Sequence, residues 1–201
     1  MTLYKRREKF GGFSVKVGIA FSKVGLKPNH WTLLTLIPTF IALWFLIKEA
    51  FLPAALFFII ASFLDMVDGA VARVTGTVSK LGAYLDTVVD RYVEIIILFG
   101  LLFASLPGLY LPAYAWVFLV MVGGLLTTYV KAAAKEKNLT GDQELKGGIL
   151  ERAERLLILF VGILLAAIQP IYLTYVLIVL AALANISALQ RIWIAVKMAK
   201  G

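Results

Sequence analysis

Residues 51–102 read FLPAALFFIIASFLDMVDGAVARVTGTVSKLGAYLDTVVDRYVEIIILFGLL. Apolar runs at 51–64 and from Ile95 onward flank a polar centre that holds Asp65, Asp68, Asp86, Asp90 and Glu94. A bilayer core about 30 Å thick needs roughly 20 apolar residues in helix. The run 51–64 is too short by itself, so a span there must continue through Asp65 and Asp68 toward Arg73. The next span must take in Asp86 and Asp90 before it reaches Ile95. Both therefore carry acids at their ends. The short segment from Val74 to Lys80, with Gly76 inside it, makes a tight reversal that sets the two helices antiparallel.

The rest of the chain extends this pattern. Residues 28–47 carry no Lys, Arg, Asp or Glu and form a first span. Residues 95–130 also lack them but are broken by Pro107, Gly108 and Pro112, which end one helix and begin another. The run from Leu156 to Gln190 divides at Gln169-Pro170 into a fifth and a sixth span. The expected fold is all-α: a single membrane domain over 1–201, with a six-helix bundle at 28–201 behind an interfacial segment at 1–27. That segment is basic and interrupted by Gly11, Gly12, Gly18 and Gly25, so no signal-peptide apolar region is read in it. Phe10, Phe13, Val15, Val17, Ile19, Ala20, Phe21 and Val24, set among lysines, predict an amphipathic helix lying on the membrane surface.

Composition agrees. The chain is 61% hydrophobic and 16% charged, with a mean hydropathy of +0.91, which is a membrane protein's balance. It has no cysteine, which excludes a disulfide scaffold, a thiolate metal site and a cysteine nucleophile. A net charge of +8 on such a chain points to anionic lipid or a phosphorylated substrate and not to nucleic acid. Lysines and arginines orient short flanks to the cytoplasm. They lie in the N-terminal segment, at Arg73 and Lys80 on the two sides of the reversal, in the 131–155 connection and at the C-terminus, whereas Lys48 stands on the other side. A multi-pass protein of the cell membrane is expected, with both termini and the acidic site cytoplasmic.

The acids decide the chemistry. An isolated aspartate near the centre of a membrane helix costs about 2.5–3.5 kcal/mol on insertion scales, so several must be neutralised together. Asp65 and Asp68 are i, i+3 and Asp86 and Asp90 are i, i+4, so each pair shares a helix face. Four converging carboxylates repel unless a divalent cation lies among them, and oxygen-only ligands favour Mg²⁺ or Mn²⁺. Gly69 and Gly82 fall on the same faces and leave room for a ligand to approach the backbone. A different class of protein, a cation transporter, would also place carboxylates inside spans.

Written out, the stretch is Asp65-x2-Asp68-Gly69-x2-Ala72-Arg73-x8-Gly82-x3-Asp86-x3-Asp90. It resembles, without a departure, the signature of the CDP-alcohol phosphotransferases, with eight residues fixed in 26. The resemblance implies that Asp65, Asp68, Asp86 and Asp90 are metal ligands and that Asp90 is the general base. It implies that Gly69, Arg73 and Gly82 contact a cytidine nucleotide, joined by Pro28, Asn29 and Thr32 at the mouth of the first span. His30 is expected at the interface, without a catalytic role. The reaction implied is displacement of CMP from a CDP-linked lipid by an acceptor hydroxyl, in a homodimeric enzyme.

The second basic connection, with Lys131, Gly141-Asp142, Glu151-Arg152-x-Glu154-Arg155 and Gln190-Arg191, resembles the branch that makes phosphatidylinositol phosphate or archaetidylinositol phosphate from inositol 1-phosphate. The resemblance implies that Lys131, Arg152 and Arg191 bind the phosphate of a phosphorylated polyol, while Arg155 is structural. The donor the resemblance implies is CDP-archaeol or CDP-diacylglycerol. Rival acceptor chemistries within the family are phosphatidylglycerol-phosphate synthesis and the use of CDP-inositol.

Overall fold

The computed structural model describes residues 7–139 and 147–200. Among them the chain is helical: α1 (Arg7–Ser22), α2 (Pro28–Leu34), α3 (Leu36–Ile47), α4 (Phe51–Val74), α5 (Lys80–Leu102), α6 (Ala113–Glu136), α7 (Arg152–Ala166) and α8 (Pro170–Lys200). An isolated bridge between Leu109 and Leu111 is the extended pairing recorded in the described residues. Residues 1–6 of the interfacial segment, and Gly141-Asp142 of the second basic connection, lie outside them.

The breaks have local causes. Pro38 has no N–H to give the Leu34 carbonyl, and the first span divides at Thr35 into α2 and α3. The Thr35 and Thr39 hydroxyls bond back to the Thr32 and Thr35 carbonyls, each at 2.7 Å. Helix α4 ends in a Schellman motif: Gly76 takes φ 66° and the Thr77 N–H reaches the Ala72 carbonyl at 3.0 Å, as the left-handed position after a helix requires. Ser79 then starts α5, its Oγ accepting the Gly82 N–H at 3.0 Å, an N-cap bond. Glu49 (φ 57°) closes α3 the same way, with Ala50 N–H on the Phe45 carbonyl at 2.9 Å.

The described residues pack as two compact units. The first comprises the chain up to Trp44 together with Leu56–Ile97. Its core gathers Val17, Trp31, Val67, Ala70 and Val71, with Phe21, Leu26, Leu34, Leu64 and Met66 against them. The second comprises Phe45–Ala55 and the chain from Leu98 onward. Here α6 and α8 pack closely at Gly123, where an added Cβ would lie 2.8 Å from Ala184 Cβ and 2.9 Å from the Asn185 nitrogen, the small-residue contact common between membrane helices. Asn185 Nδ2 donates to the Leu119 carbonyl at 2.9 Å. Thr174 donates to the Pro107 carbonyl at 2.7 Å and Ser105 N–H to Glu49 Oε1 at 3.0 Å. Those Ser105 bonds hold the Glu49 carboxyl below its ordinary value. Its contribution to stability is therefore present above the ordinary carboxyl range and fades as pH falls through the lowered folded value.

Four described helices are long and apolar enough to cross a membrane: Pro28–Ile47, Phe51–Val74, Ala113–Glu136 and Pro170–Ala199. This is fewer than the six spans read from the sequence. Helix α5 is long enough but contains Lys80, Asp86, Asp90, Arg91 and Glu94. Helix α7 has 15 residues, a length of about 22 Å at the usual rise, short of the bilayer core. Leu33, Ile37, Phe40 and Trp44 on the first span, and Leu52, Leu56, Ile59 and Phe63 on α4, turn outward. Such rows suit lipid, and the apolar helices mark a membrane protein.

Candidate active site

The site forms in the first unit, where the reversal at Thr75–Ser79 returns the chain and brings α5 back beside the end of α4. Asp65, Asp68 and Asp86 each offer a carboxylate oxygen, and these oxygens lie within 4.8 Å of one another. Asp68 is 5% exposed and accepts the Thr32 hydroxyl at 2.5 Å. Asp90, one turn beyond Asp86 on α5, lies outside this group of three and is partly buried. Three carboxylates this close repel strongly in a partly desolvated site. Their donor set, all hard oxygen, fits a divalent cation.

Beside the aspartates opens a cleft of about 500 Å³. Each residue expected to contact a nucleotide lines it: Pro28, Asn29, Thr32, Gly69, Arg73 and Gly82, together with Asp65, Asp68 and Asp86. The glycines have a visible use. At Gly82 an added Cβ would come 3.1 Å from Ser79 Oγ and 3.2 Å from Asn29 Oδ1, and at Gly69 it would come 3.2 Å from Arg73 Nη1. His30 is exposed and absent from the cleft wall.

Sequence reasoning missed some of the wall. Ser79, Thr77, Val78, Met66 and Ala83 also line the cleft. Ser79 was readable as an N-cap three residues before Gly82, but the others lack a signal of their own. Nor did spacing reveal that the Thr32 hydroxyl is engaged with Asp68, 36 residues away.

The cations expected at an acceptor phosphate belong to the second unit. Arg191 donates from Nε to the Gly147 carbonyl and from Nη1 to the Thr127 carbonyl, each at 2.8 Å. Gly148, at φ 114°, packs against that guanidinium, and a Cβ there would lie 3.2 Å from Nε. Leu150 N–H donates to Ser187 Oγ at 3.0 Å, which ties down the strand of chain leading to Arg152, the first residue of α7. Glu151 and Glu154 form a capping box there, the Glu151 N–H reaching Glu154 Oε2 at 3.1 Å. Arg155 is 1% exposed. Lys131 stands exposed on α6.

Comparison with known proteins agrees with this geometry. The profile of the CDP-alcohol phosphatidyltransferase family matches residues 26–197. The chain is 33% identical over 183 residues to an archaetidylinositol phosphate synthase of Pyrococcus horikoshii, 90% of each chain being covered. It is similar in structure to the phosphatidylinositol phosphate synthase of Mycobacterium tuberculosis with CDP-DAG bound, at TM-score 0.79 and 26% identity, over 90% of this chain and 92% of that one. The same enzyme in complex with manganese and citrate matches at TM-score 0.79 and 25% identity, over 90% and 88% of the two chains. A clustered set of aspartates beside a cleft lined by the glycines and arginine of the same signature, and a family profile spanning most of the sequence, lead to one conclusion: the chain is an enzyme of the CDP-alcohol phosphatidyltransferase family.

Proposed function

We propose that this enzyme transfers a lipid-linked phosphate from CDP-archaeol or CDP-diacylglycerol to myo-inositol 1-phosphate, giving archaetidylinositol or phosphatidylinositol phosphate and CMP. The observation that carries the reading is the convergence of Asp65, Asp68 and Asp86 beside a cleft whose wall contains Pro28, Asn29, Thr32, Gly69, Arg73 and Gly82. The names of the relatives direct the choice of donor and acceptor.

Asp65, Asp68 and Asp86 hold a divalent cation, Mg²⁺ or Mn²⁺, and Asp90, outside that group of three, is left to act as the base. Bound there, the metal supplies charge stabilisation to the donor's diphosphate and to the departing CMP. Thr32 fixes one oxygen of Asp68 and so orients that ligand. Gly69 and Gly82 keep the cleft wall free of side chains where the cytidine nucleotide lies, and the Arg73 guanidinium meets its phosphates. Asp90 accepts the proton of the attacking inositol hydroxyl. The new bond joins that oxygen to the lipid-bearing phosphorus, the bond from this phosphorus to the CMP oxygen breaks, and CMP leaves with the electron pair. Lys131, Arg152 and Arg191 hold the acceptor's own phosphate. The carbonyls that Arg191 already engages are neutral, so they set the plane of its fork without cancelling its charge.

In the membrane, α5 and α7 cross as well and bring the spans to six, with α1 lying in the interface as an amphipathic helix. Both termini and the active site face the cytoplasm, and the working form is a homodimer. The cysteine-free sequence allows a clean test of sidedness. A single cysteine at position 135 should react with a membrane-impermeant maleimide only in inside-out vesicles, and one at position 48 only in right-side-out vesicles. The opposite pattern would reverse the orientation.

Activity is tested with purified protein, Mg²⁺, CDP-archaeol or CDP-diacylglycerol, and inositol 1-phosphate or glycerol 3-phosphate. CMP and an inositol-phosphate lipid should appear together with the first acceptor, at a kcat/KM at least about tenfold above that with the second, as expected when a site built for one polyol leaves polar groups unpaired with the other. Efficient turnover of glycerol 3-phosphate in preference to inositol 1-phosphate would move the enzyme to another branch of the family.

A further inference from the structure

Arg73 forms part of the cleft wall, yet its hydrogen-bond partner lies 59 positions earlier in the chain. Its Nη2 donates to Ser14 Oγ at 2.8 Å. The same guanidinium lies beside Gly69, where an added Cβ would come 3.2 Å from Nη1 and 3.8 Å from Cζ. The arginine is thus bracketed by a missing side chain on its own helix and by a hydroxyl on α1.

Ser14 is itself fixed in place. One turn further along α1, on the same face, Gly18 meets α4 so closely that a Cβ would lie 2.6 Å from the Ala70 carbonyl oxygen and 2.7 Å from Val74 Cγ2. Val17 is buried with Trp31, Val67, Ala70 and Val71. The Phe21 ring makes T-shaped contacts with Trp31 and Phe63, at centroid separations of 5.3 and 5.8 Å. These contacts index α1 on α4. The remaining surface of α1 exposes Phe13, Val15 and Ile19, with Lys16 and Lys23 also outward.

The chemistry of the partner matters. A hydroxyl is a neutral acceptor, so it orients the guanidinium while leaving its positive charge to act on an anion. A carboxylate in that place would compete with a phosphate for the same fork. An exposed arginine without such a tether samples many rotamers and must be ordered when a ligand binds.

We propose that Ser14 is a positioning residue for donor binding: its hydroxyl holds the Arg73 guanidinium at the cleft, so the seating of α1 on α4 sets how tightly the diphosphate of the donor is gripped. This rests on the reading of the cleft as the donor's nucleotide site. It places Ser14 outside the chemistry and inside the affinity, and it makes the N-terminal helix a working part of the active site.

The test is calorimetric titration of the purified full-length protein with CDP in the presence of Mn²⁺, alongside steady-state kinetics with CDP-diacylglycerol. Ser14→Ala should raise the CDP Kd and the donor KM about fivefold, the scale of one lost charge-assisted hydrogen bond that was partly offset by water, while kcat stays within about twofold. Ser14→Thr, which keeps the hydroxyl, should restore wild-type affinity. In an Arg73→Ala background the Ser14→Ala change should have no further effect, as a pairwise coupling requires. An unchanged Kd in Ser14→Ala would overturn the proposal. So would an equal loss in the Arg73→Ala background, which would make Ser14 a support of the fold alone. If wild-type protein bound no CDP, the nucleotide reading of the cleft would fall, and this proposal with it.

Discussion

Exchange of Asp68 for asparagine is expected to lower CMP release by at least about 10³-fold, because the change removes one of three clustered anionic oxygens proposed to share a cation while keeping the side chain's shape. Asp68 is the most buried of the three, and its second contact, the Thr32 hydroxyl, fixes its orientation. Asparagine can still accept that bond, so the folded state should survive and the loss should appear in metal affinity. Mn²⁺ should bind at least about tenfold more weakly, the scale on which disturbance of a ligand shell is felt. Thr32→Val should show the same sign with a smaller size, since it frees the ligand without removing it. Normal turnover in Asp68→Asn would show that the carboxylate group does not hold the catalytic metal.

Asp90→Asn should act differently. Asp90 stands one turn along α5 from Asp86 and outside the three clustered carboxylates, which suits a group that takes a proton better than one that grips the ion. A general base contributes about 10²–10⁴-fold to rate, so kcat should fall by about 10³-fold. The donor KM and the Mn²⁺ affinity should stay within about threefold of wild type. If Mn²⁺ affinity instead fell as far as in Asp68→Asn, Asp90 would be acting as a ligand, and the base would have to be sought elsewhere.

The parts of this enzyme that were legible in its sequence are those governed by short spacings. The i, i+3 and i, i+4 aspartates share faces because the helix repeat puts them there, and the structure brings Asp65, Asp68 and Asp86 together. Breaks at Pro107–Pro112 and at Gln169-Pro170 follow from missing N–H groups and stand where expected. Gly76 adopts the left-handed conformation that closes α4.

Long-range pairings were not legible. Nothing in local pattern couples Ser14 to Arg73 or Thr32 to Asp68, because such bonds depend on how helices are packed and not on their periodicity. Arg191 illustrates the same limit. Its charge and helix-end position were readable, but not its bonds to the carbonyls of Thr127 and Gly147. Four of the six spans read from the sequence stand out by length and composition, and the other two do not for a physical reason. The acids that build the site lower the hydropathy of α5, and α7 is short, so neither meets the length and composition of a simple membrane helix.

The central claim is that Asp65, Asp68 and Asp86 bind a divalent cation that also engages a cytidine diphosphate. Electron paramagnetic resonance of Mn²⁺ titrated into the purified enzyme tests it most directly. The free six-line signal should be lost in proportion to protein, more completely when CDP is added, and should return when all three aspartates are changed to asparagine. A signal that the wild-type protein never depletes, or depletes equally without those carboxylates, would contradict the account.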